Sequence, residues 1–361
     1  MPVKDSAGFR RNDPPIETHG TSRRRASGGV TLNDVARVAG VSTITASRAL
    51  NNPTIVSDTT VEKVRAAANQ IGYVPNLLAG SLKSNRSRLV VVLVPTIAGS
   101  PFLRAIQALT DVLARAGYQV MMGQIGYDNS HEESLLDAII GRRPDGIVVT
   151  GLITSEAARR KLMMAGIPVV ETWQMSAEPL DMLVGFSHYK VGEAMAAYLW
   201  ERGHRHYVVA TGRDVRGQQR LQGFRDKLAA AAGDEGEAAS SIRESYVSLP
   251  STVAAGRQVL SDALGQGLRV DAICCCSDAL AVGVLYEAQA RGIAIPDELA
   301  VLGYGDTEIA PHTVPAMSTV RIDDIGIGLH AARMLIARVE DRAPGQTVVD
   351  VGFSIQQRHS A

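Results

Sequence analysis

Two groups of residues in this sequence are of types and spacings that could do chemistry. The first lies between Thr31 and Asn51, where Thr43, Ile44, Ser47 and Arg48 fall on one side of a short helical repeat and Ala46, Ala49 and Leu50 on the other. An outward row of hydroxyls, one aliphatic and one arginine suits nucleic acid. Thr43 and Ile44 would meet base edges, Arg48 a guanine or a phosphate, and Thr45 and Ser47 phosphates. The second group is scattered over loops further along: Phe102, Gln124, Tyr127, Thr150, Glu171, His188, Arg220, Ser277, Asp278 and Asp306. Carboxylates, amides, hydroxyls, an arginine and aromatics together suit a polyhydroxylated small molecule. Glu171 and Asp278 can be cast as a general acid and base, but no nucleophile motif, metal-ligand spacing or phosphate loop accompanies them. No catalytic residue, metal or cofactor is expected.

The elements that must position these groups can be read from the same pattern. Thr31 and Asp34 make a capping-box-like start for a helix whose Leu32, Val35, Ala36 and Ala39 face inward, and Gly40 supplies the turn. Ser42 caps the second helix, giving a helix-turn-helix whose second member is slim enough for a major groove. A third helix is predicted from about Thr59 to Ile71, with Val61, Val64, Ala68 and Ile71 closing a small core. From Leu89 onward apolar runs such as 89–94, 146–150, 207–210, 272–276 and 299–302 alternate with helical stretches, as in parallel sheets covered on both faces. Repeats of that length predict two doubly wound parallel sheets in succession. In such sheets ligands meet the loops at the carboxyl ends of the strands, where the second group of residues lies.

The residues Ala36, Gly40-Val41-Ser42, Thr45, Ser47-Arg48 and Leu50-Asn51 resemble the DNA-binding signature of the LacI/GalR family of bacterial transcription regulators. The resemblance runs from residue 30 to about 355. It implies a two-lobed α/β core, similar to periplasmic sugar-binding proteins, behind an N-terminal all-α helix-turn-helix domain. It adds Thr31, Ser42, Asn51, Tyr73 and Asn76 to the expected DNA contacts. The segment Gly72-Tyr73-Val74-Pro75-Asn76, followed by Ala79, Leu82 and Lys83, resembles the family's hinge helix, and Leu82 matches a leucine that wedges into a base step. Gly80 departs from good helix formers at that point. In the core, Arg220-Leu-Gln-Gly-Phe224 and Ser277-Asp278 with Ala281 and Gly283 match effector-cleft motifs. Ser187-His188 stands where the family usually has Asp-Asn, and Gly305 where sugar-binding members usually have the first acid of a pair. Together with Gly126-Tyr127, Pro168-Val-Val-Glu171, the run from Leu180 to Phe186 and Arg202-Gly-His-Arg-His206, these departures resemble the gluconate-operon repressor branch, which implies a sugar acid, with a neutral sugar as the alternative.

The expected organisation is an arm over 1–29, read as disordered; the helix-turn-helix domain over 30–75; a hinge over 76–88; and an effector-binding core over 89–361. Within the core, one lobe is expected at about 89–187 and 318–343 and the other at about 188–317 and 344–361. The formal charge of the whole chain is zero, yet residues 1–88 hold 13 Lys+Arg against 6 Asp+Glu, a difference of +7. A basic module on an acidic body is what a nucleic-acid reader requires. Cys274, Cys275 and Cys276 are adjacent in an apolar run and read as buried strand residues. The polar start, broken by Pro14-Pro15, lacks a signal-peptide core, and no apolar stretch is long enough for a membrane span, so a cytoplasmic protein is expected. A reading head this short needs two copies, so a homodimer on palindromic operator DNA is expected. A sugar-binding transport component fits the core but not the attached helix-turn-helix.

Overall fold

The computed structural model describes residues 30–74, 86–97, 102–127, 132–232 and 241–361. The chain divides into two units, Met1–Gly80 and Ser81–Ala361. Asn76, Leu82 and Lys83, the arm over 1–29 and most of the expected hinge lie outside the described residues.

Among its described residues the first unit contains the α-helices α1 (Leu32–Ala39), α2 (Thr43–Asn51) and α3 (Asp58–Ile71). Thr31 and Asp34 form a reciprocal capping box, which holds the Asp34 carboxyl down at about 2, chiefly through its hydrogen bond with the Thr31 side chain. Gly40 ends α1 in the left-handed region at φ 66°, and the Ser42 hydroxyl accepts from the Thr45 N–H at 3.1 Å to start α2. Val35, Ala36, Ala46, Ala49, Val61, Val64, Ala67 and Ala68 form the core. Small residues on α2 let its axis lie close to its neighbours, leaving its outer face free of packing duties.

The second unit contains two six-stranded sheets. The first is built from β1 (Leu89–Val94), β2 (Gln119–Gln124), β3 (Gly146–Thr150), β4 (Val169–Thr172), β5 (Met182–Gly185) and β11 (Val348–Asp350), all parallel, in the order β11-β5-β4-β3-β1-β2. The second takes β6 (His206–Thr211), β7 (Ser241–Tyr246), β8 (Ala272–Cys275), β9 (Ala300–Tyr304), β10 (Ser318–Ile322) and β12 (Phe353–Gln356), in the order β12-β10-β9-β8-β6-β7. Among the named strands, β12 alone runs antiparallel to its neighbour. Central strands are buried along their length, as the apolar runs require, whereas the edge strand β2 is largely open. Cys274 faces one core and Cys275 the other, the alternation of adjacent strand residues.

Two lobe boundaries differ from those expected. Ser318–Ile322 does not return to the first lobe; it pairs parallel with β9 and antiparallel with β12. Its buried Ser318 and Thr319 find partners there, Ser318 with Ser360 and Thr319 with Asp278. Only the following helix, Asp324–Val339, crosses back and packs on the first lobe. Likewise Val348–Asp350 is an edge strand of the first sheet beside β5, and the chain turns at Gly352, φ 65°, before entering the second. The chain therefore changes lobe after β5, after β10 and between β11 and β12.

Among the helices of this unit, α4 (Leu103–Arg115), α7 (His188–Glu201), α8 (Val215–Ala232), α10 (Asp278–Arg291) and α11 (Asp324–Val339) matter for the site; α5 (Glu132–Ile140), α6 (Glu156–Ala165) and α9 (Val253–Gly265) complete the layers. Arg220, expected on a loop, lies inside a helix. Asp214 accepts from the Gly217 N–H, and α8 begins at Val215, which makes Arg216 and Arg220 helical residues one turn apart rather than loop residues. The polar run before Leu221 hid this turn from the apolar pattern.

Candidate functional sites

The outer face of α2 is the first site. Thr43, Ile44 and Arg48 are exposed, Ile44 at 65%, which is unusual for a large aliphatic side chain on a packed helix. Ser47 is half-buried and accepts from the Asn51 amide at 3.3 Å, and Thr43 donates to Asn33 Oδ1 at 3.0 Å, so both side chains are held in place. Thr31 and Ser42 use their hydroxyls at helix starts, and Thr45 shares a 2.8 Å hydrogen bond with Ser42. Thr31 and Ser42 act first as caps, and Thr45 steadies the second of them. Tyr73 is half-buried against the three-helix core.

The second site is a cleft of about 390 Å³ in the core unit, between the carboxyl ends of both sheets. Five helices begin at it: Leu103 and Arg104 of α4, His188 of α7, Arg216 and Arg220 of α8, Asp278 of α10 and Asp324 of α11 all line its walls. Converging helix starts present positive dipole ends, which favours an anionic ligand.

The charges in the cleft are unevenly paired. Arg104 meets Asp324 at 3.4 Å, and Arg216 Nε meets Asp214 at 3.3 Å while its guanidinium lies over the rings of Phe102 and Tyr127. Arg220 has no carboxylate among the described residues. It donates from Nη1 to His188 Nδ1 at 2.8 Å and lies 4.6 Å from the centre of the Tyr304 ring. Phe102 packs edge-on against Trp173 at 4.9 Å, giving one wall an aromatic surface.

Of the ten residues expected at the effector site, Phe102, Tyr127, His188, Arg220, Ser277 and Asp278 line this cleft. Three of them, His188, Ser277 and Asp278, also hold the protein together. His188 is 3% exposed and places its Nε2 2.9 Å from the Trp173 carbonyl, so both ring nitrogens are engaged within the protein. Burial, then the neighbouring Arg220 and Arg216, drive its pKa well below the usual histidine range. Asp278 accepts from Thr319 Oγ1, Thr307 Oγ1 and the Thr307 N–H, tying the start of α10 to the loop after β9. Burial raises its carboxyl above the usual range. Ser277 caps α10 and shares a hydrogen bond with Ser251.

The other four lie elsewhere. Gln124 lines a wider groove at the mouth, and Thr150 a small recess of about 70 Å³ beside Tyr127. Glu171 is fully buried, accepting from the Ile153 and Leu180 N–H groups, and serves the loops around β4 rather than a ligand. Asp306 turns away to pair with Arg321 and Arg358. A strand-end carboxylate can satisfy either loop amides or a ligand, and here the backbone and the arginines take both. The structure adds Trp173, Asp214, Arg216 and Tyr304 to the lining. Arg216 was legible only as the residue four before Arg220, which shares its face once both are helical.

Residues 31–76 match the family described as bacterial regulatory proteins, lacI family, and residues 196–361 match the periplasmic binding protein-like domain. The chain is 36% identical over 345 residues to the HTH-type transcriptional regulator GntR of Pseudomonas aeruginosa, covering 95% of this chain and 99% of that one. A LacI-family regulator from Silicibacter pomeroyi superposes with a TM-score of 0.83 at 32% identity, covering 92% of this chain and 99% of that one. The transcription regulator GntR of Chromobacterium violaceum superposes at 0.69 with 34% identity, over 75% of this chain and 98% of its own.

Proposed function

The chain belongs to the LacI family of bacterial regulatory proteins, a DNA-binding regulator with an effector-binding domain and not an enzyme, and we propose that it represses sugar-acid catabolic genes under the control of a gluconate-type ligand. Two copies would read a palindromic operator through the α2 faces, with Thr43, Ile44 and Arg48 at base edges and Thr31, Ser42, Thr45, Ser47, Asn51, Tyr73, Asn76 and Lys83 on the backbone or at its margin. Leu82 would wedge into the central step from the minor groove. Ligand in the cleft would bias the relative orientation of the two lobes and so the pairing of the hinges.

The observation that carries the sugar-acid reading is Arg220, a half-buried guanidinium that lines a cleft of helix starts and has no carboxylate partner among the described residues. Its planar fork matches a carboxylate, and the aromatic wall of Phe102, Trp173 and Tyr127 suits the C–H face of a polyol. Isothermal titration calorimetry of the intact protein against gluconate, 2-ketogluconate and neutral sugars tests this reading. Binding of a sugar acid alone is the expected result. Binding of a neutral sugar alone would keep the regulator and overturn the ligand class.

A further inference from the structure

The structure assigns to His188 a role in choosing the ligand's charge: as a neutral acceptor it aims Arg220 without cancelling its positive charge, so that the ligand must supply the counter-ion. The inference rests on the sugar-acid reading above and names the residue that enforces it.

A guanidinium has only N–H donors, so His188 Nδ1, 2.8 Å from Arg220 Nη1, must present its lone pair. The Trp173 carbonyl is only an acceptor, so Nε2, 2.9 Å from it, must carry the hydrogen. Both contacts select the same tautomer, the neutral Nε2–H ring. An imidazolium would point a second N–H at the guanidinium, and the ring is buried, packed 4.6 Å from the Phe186 ring and facing Arg216 as well as Arg220. The surrounding carboxylates do not take over the balance: Asp214 is occupied by Arg216 and Asp278 by Thr307 and Thr319. A carboxylate in place of this imidazole would hold Arg220 in a similar position but as a closed ion pair, leaving a site suited to neutral hydroxyls. His188 is thus a positioning residue that acts through Arg220. Its second hydrogen bond fastens α7 to the end of β4, in the other lobe.

The test compares His188→Asp with His188→Asn in the full chain, using gluconate and glucitol, the same carbon chain with an alcohol in place of the carboxylate. Asp and Asn have the same shape and lose the Trp173 contact equally, so the difference between them is charge. The expected result is that His188→Asn keeps the wild-type preference for gluconate, whereas His188→Asp lowers the gluconate-to-glucitol affinity ratio by at least about tenfold relative to it. Equal ratios in the two variants, with a wild type that prefers gluconate, would overturn the role of His188 alone. A wild type without that preference would overturn the sugar-acid reading. The ring itself is read without any ligand: ¹⁵N shifts of His188 in the free protein at pH 7 are expected to report the neutral Nε2–H tautomer. A protonated ring, or the Nδ1–H tautomer, would overturn the inference whichever sugar binds and however the variants fold.

Discussion

A half-buried guanidinium held by an imidazole and an aromatic ring, with no carboxylate partner among the described residues, is a charge awaiting a partner, and the cleft is organised around that residue. Arg220→Ala should weaken gluconate binding by about 10- to 100-fold, the usual worth of a charge-assisted hydrogen bond, while DNA binding is kept; calorimetry and a DNA-binding titration on the same variant check both halves. The pH dependence of stability follows from His188. Its folded pKa lies below the unfolded value of 6.5, so its contribution is complete above that pH and is lost as pH falls from 6.5 towards the folded value, because only the unfolded ring takes up a proton. The unfolding free energy from urea titrations between pH 7.5 and 5.5 should fall by more in the wild type than in His188→Asn, by at most about 1.4 kcal/mol per pH unit. At this scale the sequence was a partial guide. Arg220 and Phe102 could be placed from their motifs and loops, but Glu171 and Asp306 could not be told from ligand contacts, since whether a carboxylate faces a cleft or a loop amide depends on neighbours far along the chain.

The elements place these residues through close helix contacts. Gly192 of α7 lies against the Arg220 carbonyl of α8, and Gly223 of α8 against the Tyr189 carbonyl of α7, so a Cβ at either would overlap backbone. Gly192→Ala should therefore force the two helices apart, cost about 1–3 kcal/mol of stability and weaken gluconate binding, as thermal unfolding and calorimetry would show; an unchanged ligand affinity would mean that helix spacing does not set the position of Arg220. On the DNA side, Ile44 and Arg48 carry none of the core, so Ile44→Ala and Arg48→Ala should leave the fold intact and each lower specific DNA binding by about 1–3 kcal/mol. Circular dichroism and competition against random duplex separate the two effects. The helix-turn-helix was wholly legible because its caps, turn glycine and apolar spacing are local signals. The placement of β10 in the second sheet was not, because a short strand carries no mark of which sheet it joins; buried partners such as Ser360 and Asp278 decide that.

At the scale of the whole molecule, a basic reading head is joined to a core whose lobes are linked where the chain crosses after β5, after β10 and between β11 and β12. Such crossings let the lobes reorient while each sheet stays intact, which is the kind of two-state element through which a small ligand can act at a distance. Under the proposed function, a hinge around Leu82 would carry the effect of the ligand from the cleft to the DNA. Leu82→Ala should lower operator affinity while leaving gluconate affinity unchanged, and equal operator affinity would remove the wedge from the account. The most direct test of a ligand-controlled DNA reader is an anisotropy titration of the full chain on duplexes it has itself enriched from a random pool, with and without gluconate. The expected result is a palindromic site whose affinity changes by about 5- to 150-fold on adding gluconate, an effect absent in Arg220→Ala. Failure to enrich any sequence, or an affinity indifferent to every sugar and sugar acid, would contradict it.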